Sequence, residues 1–311
     1  MIEARRLTKR YGDKVAVDDL TFNVRPGTVT GFLGPNGAGK STTMRMIMGL
    51  DVPTGGDVTV NGRHYRDLPW PLHEVGALLE AKAIHPGRSA RAHLQMLADV
   101  NRIPRRRVDE TLELVGLTSV AGQRAGKFSL GMGQRLGIAA ALLGDPDVLL
   151  FDEPVNGLDP DGIRWVRNLL KGLAAEGRTV FVSSHLMSEM ALTADEVVII
   201  GRGRLIAQLP IAELLDQSEQ RFVRVRSPQL DTLRTALDRV GATTTLEDDG
   251  SLAVRGLDAE AIGDLAGRVP VVLHELSTQA ASLEEAYMEL TEDSIEYHGE
   301  PIVAAPPGGN P

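Results

Sequence analysis

The sequence predicts an α/β fold. Its centre is a largely parallel sheet flanked by helices, with an antiparallel β subdomain ahead of it, an inserted helical subdomain within it, and a small α+β C-terminal domain after it. Three observations predict this. The apolar runs at 148–151 and 179–183 are too continuous for a sheet with one wet face and read as parallel strands buried on both sides. The β-branched run at 28–33 ends in a glycine-rich loop and passes into a helix-period segment at 41–49, giving strand, loop and helix in succession. The texture of the chain then changes twice. Ala, Leu, Arg and Glu recur at helical period over about 86–143, and short strands alternate with helices beyond Leu215.

Taken in order, Val15, Val17, Leu20 and Phe22 come near alternation between turns at Tyr11-Gly12-Asp13 and Arg25-Pro26-Gly27, the pattern of an antiparallel edge sheet. The C-terminal stretch predicts strands at 222–225 and 252–254 and helices at 230–240 and 259–266. The chain therefore divides into a unit of residues 1–215, with its helical subdomain at about 86–143, and an accessory domain at 216–298. The Pro- and Gly-rich tail at 299–311 is expected to be disordered. No internal repeat interrupts this division.

Composition narrows the chemistry. Over 311 residues, 42% hydrophobic and 24% charged is the balance of an ordinary globular protein. A net charge of -9 argues against a nucleic-acid partner, whose phosphates demand a basic face. With no cysteine, disulfides, thiolate nucleophiles and zinc–thiolate sites are excluded, which fits a reducing cytoplasm. The N-terminus MIEARRLTKRYG lacks the apolar stretch of a signal peptide, and no segment approaches the roughly 18–20 apolar residues that span a bilayer. The chain is expected to be neither secreted nor inserted by itself.

The strongest chemical signal is GPNGAGKS, comprising Gly34, Pro35, Asn36, Gly37, Ala38, Gly39, Lys40 and Ser41, with Thr42 next in the helix. It matches G-x-x-x-x-G-K-S/T between a predicted strand and a predicted helix, the context of a phosphate-binding P-loop. Glycines let successive backbone N–H groups and the helix N-terminus face a phosphate chain. Lys40 is placed to reach the β- and γ-phosphates, and Ser41 to offer a hydroxyl to Mg²⁺. Downstream, the strand at 148–151 delivers Asp152 and Glu153 at its C-terminal end, where ligands bind in open α/β sheets. Asp152 suits the Mg²⁺ shell, and Glu153 is placed to polarise a water attacking the γ-phosphate.

KFSLGMGQRLGIAAALL, VLLFDEPVNGLDP and FVSSHLMSE follow one another in this sequence. In that order they resemble the signature motif, Walker B, D-loop and switch histidine of ABC-transporter ATPases, over residues 2 to about 215. The chain is most similar to the branch paired with drug- and antibiotic-resistance exporters in actinobacteria, and the C-terminal part resembles that branch as well. The resemblance implies a P-loop ABC ATPase core, ATP and Mg²⁺ as cofactors, and a second nucleotide-binding subunit, most simply a homodimer. It also implies an integral membrane permease that holds the chain at the cytoplasmic face of the membrane. Tyr11 stands where the family stacks an aromatic ring on adenine, although it also reads as a turn tyrosine. Ser129 and Gly131 match positions that close on the γ-phosphate held by the opposite subunit; Ser129 also reads as a helix N-cap. Asp159 matches the D-loop aspartate or serves as a turn former before Pro160, and His185 matches the histidine that contacts the γ-phosphate.

Glu80 replaces the glutamine that senses Mg²⁺ and water, and remains a candidate metal ligand. Leu130 and Met132 replace the usual first glycine and glutamine of the signature. Residues 80–91 are the expected permease-facing loop. Two other classes compete with a transport motor. A soluble ABC ATPase of translation or DNA repair would bring tandem cassettes or long coiled coils, for which there are no sustained heptads. A P-loop kinase or GTPase would have no use for the signature and switch histidine.

Overall fold

The computed structural model describes residues 1–80, 84–217, 221–269, 271–279 and 282–291. The tail at 299–311, and residues 81–83 of the expected permease-facing loop, lie outside the described residues. The N-terminal half runs β1 (Ile2–Tyr11), β2 (Lys14–Val24), β3 (Val29–Leu33), α1 (Lys40–Ile47), β4 (Gly55–Val60), β5 (Val75–Leu78), α2 (Ala90–Val100), α3 (Arg106–Leu114) and α4 (Leu130–Leu142). There follow β6 (Val148–Asp152), α5 (Pro160–Ala175), β7 (Thr179–Ser183), α6 (Met187–Thr193), β8 (Glu196–Gly201), β9 (Arg204–Pro210) and α7 (Ile211–Gln217). The C-terminal part comprises β10 (Phe222–Arg226), α8 (Leu230–Arg239), β11 (Thr243–Leu246), β12 (Leu252–Arg255), α9 (Ala259–Arg268), β13 (Glu275–Gln279) and α10 (Leu283–Thr291).

A six-stranded sheet in the order β5-β6-β7-β3-β8-β9 carries the fold. It is parallel except for the β8–β9 hairpin. Its inner strands β6, β7, β3 and β8 are buried on both faces, so their side chains alternate between two cores. Leu149 and Phe151 of β6, Val180 and Val182 of β7, and Val197 and Ile199 of β8 pack toward the helices. Val148, Leu150, Phe181, Val198 and Ile200 point the other way, toward the antiparallel sheet β2-β1-β4 and α1. There Phe32 and Phe181 bring their ring centroids to 4.9 Å, with Phe22 of β2 5.8 Å and 5.6 Å from them. Such burial is worth about 25 cal/mol per Å² of apolar surface removed from water.

The helical stretch α2–α4 lies where the period-3.6 pattern predicts it, and Leu94, Leu112 and Leu136 are all fully buried. Beyond α7 a second sheet, β11-β12-β10-β13, closes on α8 and α9 around its own core of Val223, Val225, Leu233, Leu237, Val254 and Ile262. The last helix departs from the sequence expectation. α10 lies in the stretch assigned to the accessory domain, yet Leu283, Ala286 and Tyr287 are buried in the core that contains Ile211 and Leu214 of α7 and Met190 of α6. Their spacing of three and four residues gives α10 one apolar stripe, and that stripe faces the first body. Leu283→Ala is therefore expected to cost about 2–5 kcal/mol, measured as a lower denaturation midpoint. An unchanged midpoint would make α10 peripheral.

Candidate functional site

The site forms where β3, β7 and β6 end side by side, since β7 pairs with both neighbours and Ser183 sits opposite Phe32 on one side and Asp152 on the other. A cleft of about 470 Å³ opens at these ends, lined by Tyr11, Lys14, the loop residues Pro35 to Thr42 other than Ala38, Leu79, Asp152 and Glu153. A larger cleft of about 760 Å³ lies on the C-terminal sheet beside Phe222 and Arg255. It has no phosphate loop, so chemistry rather than volume locates the site.

The loop after β3 needs its glycines. Gly39 has φ 104°, and a β-carbon there would come within 2.6 Å of the Ala16 carbonyl; one on Gly34 would come equally close to the Ile200 carbonyl. Gly39 caps α1 without a side-chain acceptor. The first-turn amides of α1 accordingly have no intrahelical partner and present the positive end of the helix dipole to the cleft. Ala38 is buried and structural: its N–H donates to the Pro35 carbonyl at 3.1 Å and its own carbonyl accepts from Gly203 at 3.1 Å. Pro35, Asn36, Gly37 and Thr42 line the cleft.

Lys40 is almost wholly buried, and its Nζ donates to the Gly34 carbonyl and, at 3.2 Å, to that of Pro35. Burial pushes its pKa below the usual lysine value, while the carboxylates of Glu153 and Asp152 act in the opposite sense. Tyr11 stands at the rim, 47% exposed, with the Lys9 ammonium 5.0 Å from its ring centroid. Its hydroxyl donates to Asp51 at 2.9 Å, a carboxylate that also pairs with Arg45 at 2.8 Å.

The two acids at the end of β6 play different structural parts. Asp152 accepts hydrogen bonds from Ser41 Oγ at 2.8 Å and from Ser183 Oγ. Glu153 turns its carboxylate to His185, with Oε2 2.7 Å from Nδ1 and 3.4 Å from the backbone N–H. Its backbone is left-handed, φ 52°, a state costing a residue with a β-carbon about 1–3 kcal/mol. Hydrogen bonds hold it there. The Glu153 N–H donates to Ser183 Oγ at 3.1 Å and to the Ser183 carbonyl at 3.3 Å. The Glu153 carbonyl accepts from Gln134 Nε2 at 2.9 Å and from the Asn156 N–H at 3.2 Å. The sequence reading does not single out Ser183 and Gln134; a serine ending an apolar strand and a glutamine inside an apolar helix are its only hints, and the structure buries both.

The remaining predicted residues lie away from this cleft. Ser129 caps α4, its Oγ accepting from the Met132 N–H at 3.2 Å, and lines a separate groove with Phe128, Leu130 and Gly133. Asp159 caps α5 by accepting from the Gly162 N–H at 2.9 Å. Gly131 and Leu158 are neighbours, because a β-carbon on Gly131 would meet Leu158 Cδ2 at 3.2 Å. Signature helix and D-loop therefore form one surface. Glu80, expected as a metal ligand, is exposed and does not line the cleft. Leu79, at the bend that follows β5, lines the cleft instead.

A strand leading through a glycine loop into an uncapped helix, with a serine–aspartate pair beside the lysine, defines a P-loop nucleotide-hydrolysing protein. The comparisons with known proteins narrow the class. A profile of the ABC transporter family matches residues 17–156, and one of a domain of unknown function (DUF8746) matches 221–284. The uncharacterized ABC transporter ATP-binding protein YhcH of Bacillus subtilis is 37% identical over 301 residues, 95% of this chain and 97% of that one. The bacitracin transport ATP-binding protein BcrA of Bacillus licheniformis is 43% identical over 69% of this chain and 71% of its own length. Among solved structures, an ATP-binding subunit of an ABC transporter superposes with a TM-score of 0.64 at 28% identity, covering 70% of this chain and 92% of that one. A dimeric ATP-binding cassette in a post-hydrolysis state with ADP and Pi gives 0.63 at 25% identity, covering 68% and 99%. The chain belongs to the ATP-binding proteins of ABC transporters and is an ATPase of that family.

Proposed function

We propose that this ATPase powers an exporter of antibiotics, drugs or lipid-like compounds through a separate membrane permease. The observation that carries the export reading is the 43% identity to a bacitracin transport ATP-binding protein. We also place the chain in the actinobacterial drug-resistance branch, a finer reading that rests on the sequence resemblance alone. Among the described residues no helix is long and apolar enough to cross a membrane. A separate permease is proposed as the anchor at the cytoplasmic face, docked near residues 80–91. Residues 1–215, completed by α10, are proposed as the nucleotide-binding unit, and the second sheet with α8 and α9 as an accessory domain.

In the proposed mechanism the first-turn amides of α1 and the Lys40 ammonium receive the phosphates, and Tyr11 offers its ring to the adenine. The Ser41 hydroxyl and Asp152 carboxylate, 2.8 Å apart, form an oxygen pair that fits Mg²⁺, which when bound supplies charge neutralisation at the β- and γ-phosphates. Glu153 accepts the proton of the attacking water, and His185 orients its carboxylate from 2.7 Å. Ser129, Gly131 and Asp159, which lie outside this cleft, are proposed to complete the site of a second copy, so that two chains enclose two nucleotides. Glu80 is left out of the resting metal set, because Leu79 takes the cleft-lining position.

Purification of the tagged chain from detergent-solubilised membranes of its host tests the reading. A co-purifying polytopic membrane protein is the expected result, with loss of the chain raising sensitivity to a bacitracin-type peptide. Recovery with ribosomes and unchanged sensitivity would overturn it.

A further inference from the structure

We propose that Gln134 is a positioning residue for hydrolysis, holding the Glu153 backbone in its left-handed conformation and tying it to the helix that carries Ser129. The inference rests on the proposed role of Glu153 as base. Gln134 is 3% exposed, and its helix otherwise buries apolar or small residues such as Leu136, Ile138, Ala139 and Ala141. A buried amide inside such a helix is retained only with its hydrogen bonds made. Its Nε2 donates to the Glu153 carbonyl at 2.9 Å. On the other side of the same Cα, the Glu153 N–H donates to Ser183 Oγ at 3.1 Å. The two peptide groups flanking the Glu153 Cα are thus held by different elements, α4 on one side and β7 on the other.

That arrangement fixes φ and ψ at a residue whose conformation is otherwise unfavourable, and so fixes where its carboxylate points. It also means that α4 reaches two places. Its first turn carries Ser129, proposed to face the nucleotide of the opposite copy. About one and a half turns further on, Gln134 touches the base that serves its own nucleotide. A shift of α4 reaches Glu153 directly through this hydrogen bond.

The test compares Gln134→Met and Gln134→Leu, which keep much of the side-chain volume and remove the donor, with wild type and Glu153→Gln. Equilibrium ATP binding and the single-turnover rate with Mg²⁺-ATP are measured on the same samples, with the rate taken per bound nucleotide so that a partly unfolded fraction does not contribute. The expected result is ATP affinity within about threefold of wild type and a single-turnover rate about 10- to 100-fold lower, the scale of a misplaced catalytic group. Adding Gln134→Met to Glu153→Gln is expected to slow the residual rate no further, because Gln134 acts through Glu153. A lower denaturation midpoint with the rate per bound ATP within twofold of wild type would make Gln134 merely structural and overturn the proposal. Additive losses in the double variant would overturn it too. Should Glu153→Gln itself hydrolyse normally, the base assignment falls first and takes this inference with it.

Discussion

Glu153→Gln is expected to slow the hydrolysis of bound ATP by about 10²- to 10⁴-fold, the range that a positioned general base contributes, while ATP still binds. The substitution changes little else. The amide keeps the shape of the side chain and an oxygen to accept from the His185 backbone, now 3.4 Å from the carboxylate. The hydrogen bonds that fix the backbone, from Gln134 and to Ser183, do not involve the carboxylate at all. Only basicity is lost. Because the nucleotide is proposed to lie between two copies, with Ser129 and Gly131 contributed from the opposite one, ATP that is bound and not cleaved should hold those copies together. Size-exclusion chromatography with Mg²⁺-ATP, against ADP and alongside phosphate release, is expected to show the variant as a dimer. A variant that hydrolyses normally removes Glu153 as the base. One that binds ATP, is inactive and stays monomeric removes the homodimer.

Lys40→Ala is expected to weaken ATP binding by about 10- to 100-fold, the scale of hydrogen bonds to a charged group, and to reduce turnover further. Before nucleotide arrives the ammonium is held by the carbonyls of Gly34 and Pro35, inside the loop it serves. It is desolvated there, and its pKa is already lowered by burial. A phosphate chain therefore meets a cation that needs little further dehydration, in surroundings where charge is weakly screened. Titration with a fluorescent ATP analogue measures the loss. Wild-type affinity and ATPase activity in Lys40→Ala would contradict the phosphate-loop assignment.

How much of this was legible in the sequence depended on whether the determinant was local. The phosphate loop is local, since Gly34 and Gly39 are demanded by backbone approach within one turn, and so it could be read residue by residue. β6 and β7 were legible as continuous apolar runs. β8 is just as apolar, EVVIIG and buried throughout, and was passed over because no chemical motif follows it. β5 is only VGAL, too short for any period to register. The non-local features were out of reach. Helical periodicity shows that α10 has an apolar stripe but not which surface receives it. Likewise, nothing in SLGMGQ indicates that the glutamine faces the backbone of a residue nineteen positions further on, a contact made only when α4 packs against β5, the neighbour of β6.

The return of α10 to α6 and α7 has a bearing on how the protein is made. A chain leaving the ribosome folds from its N-terminus at about 5–20 residues per second. The six strands of the main sheet are all synthesised by Pro210, but the groove that receives Leu283, Ala286 and Tyr287 must wait while the whole second sheet is built. During that interval the apolar surface next to the helix that follows His185 is uncovered, and the nascent cassette is open to proteases and chaperones at that spot. The C-terminal segment then acts as the closing stitch, so that an interrupted translation product would carry every phosphate-binding residue and still lack a sealed core.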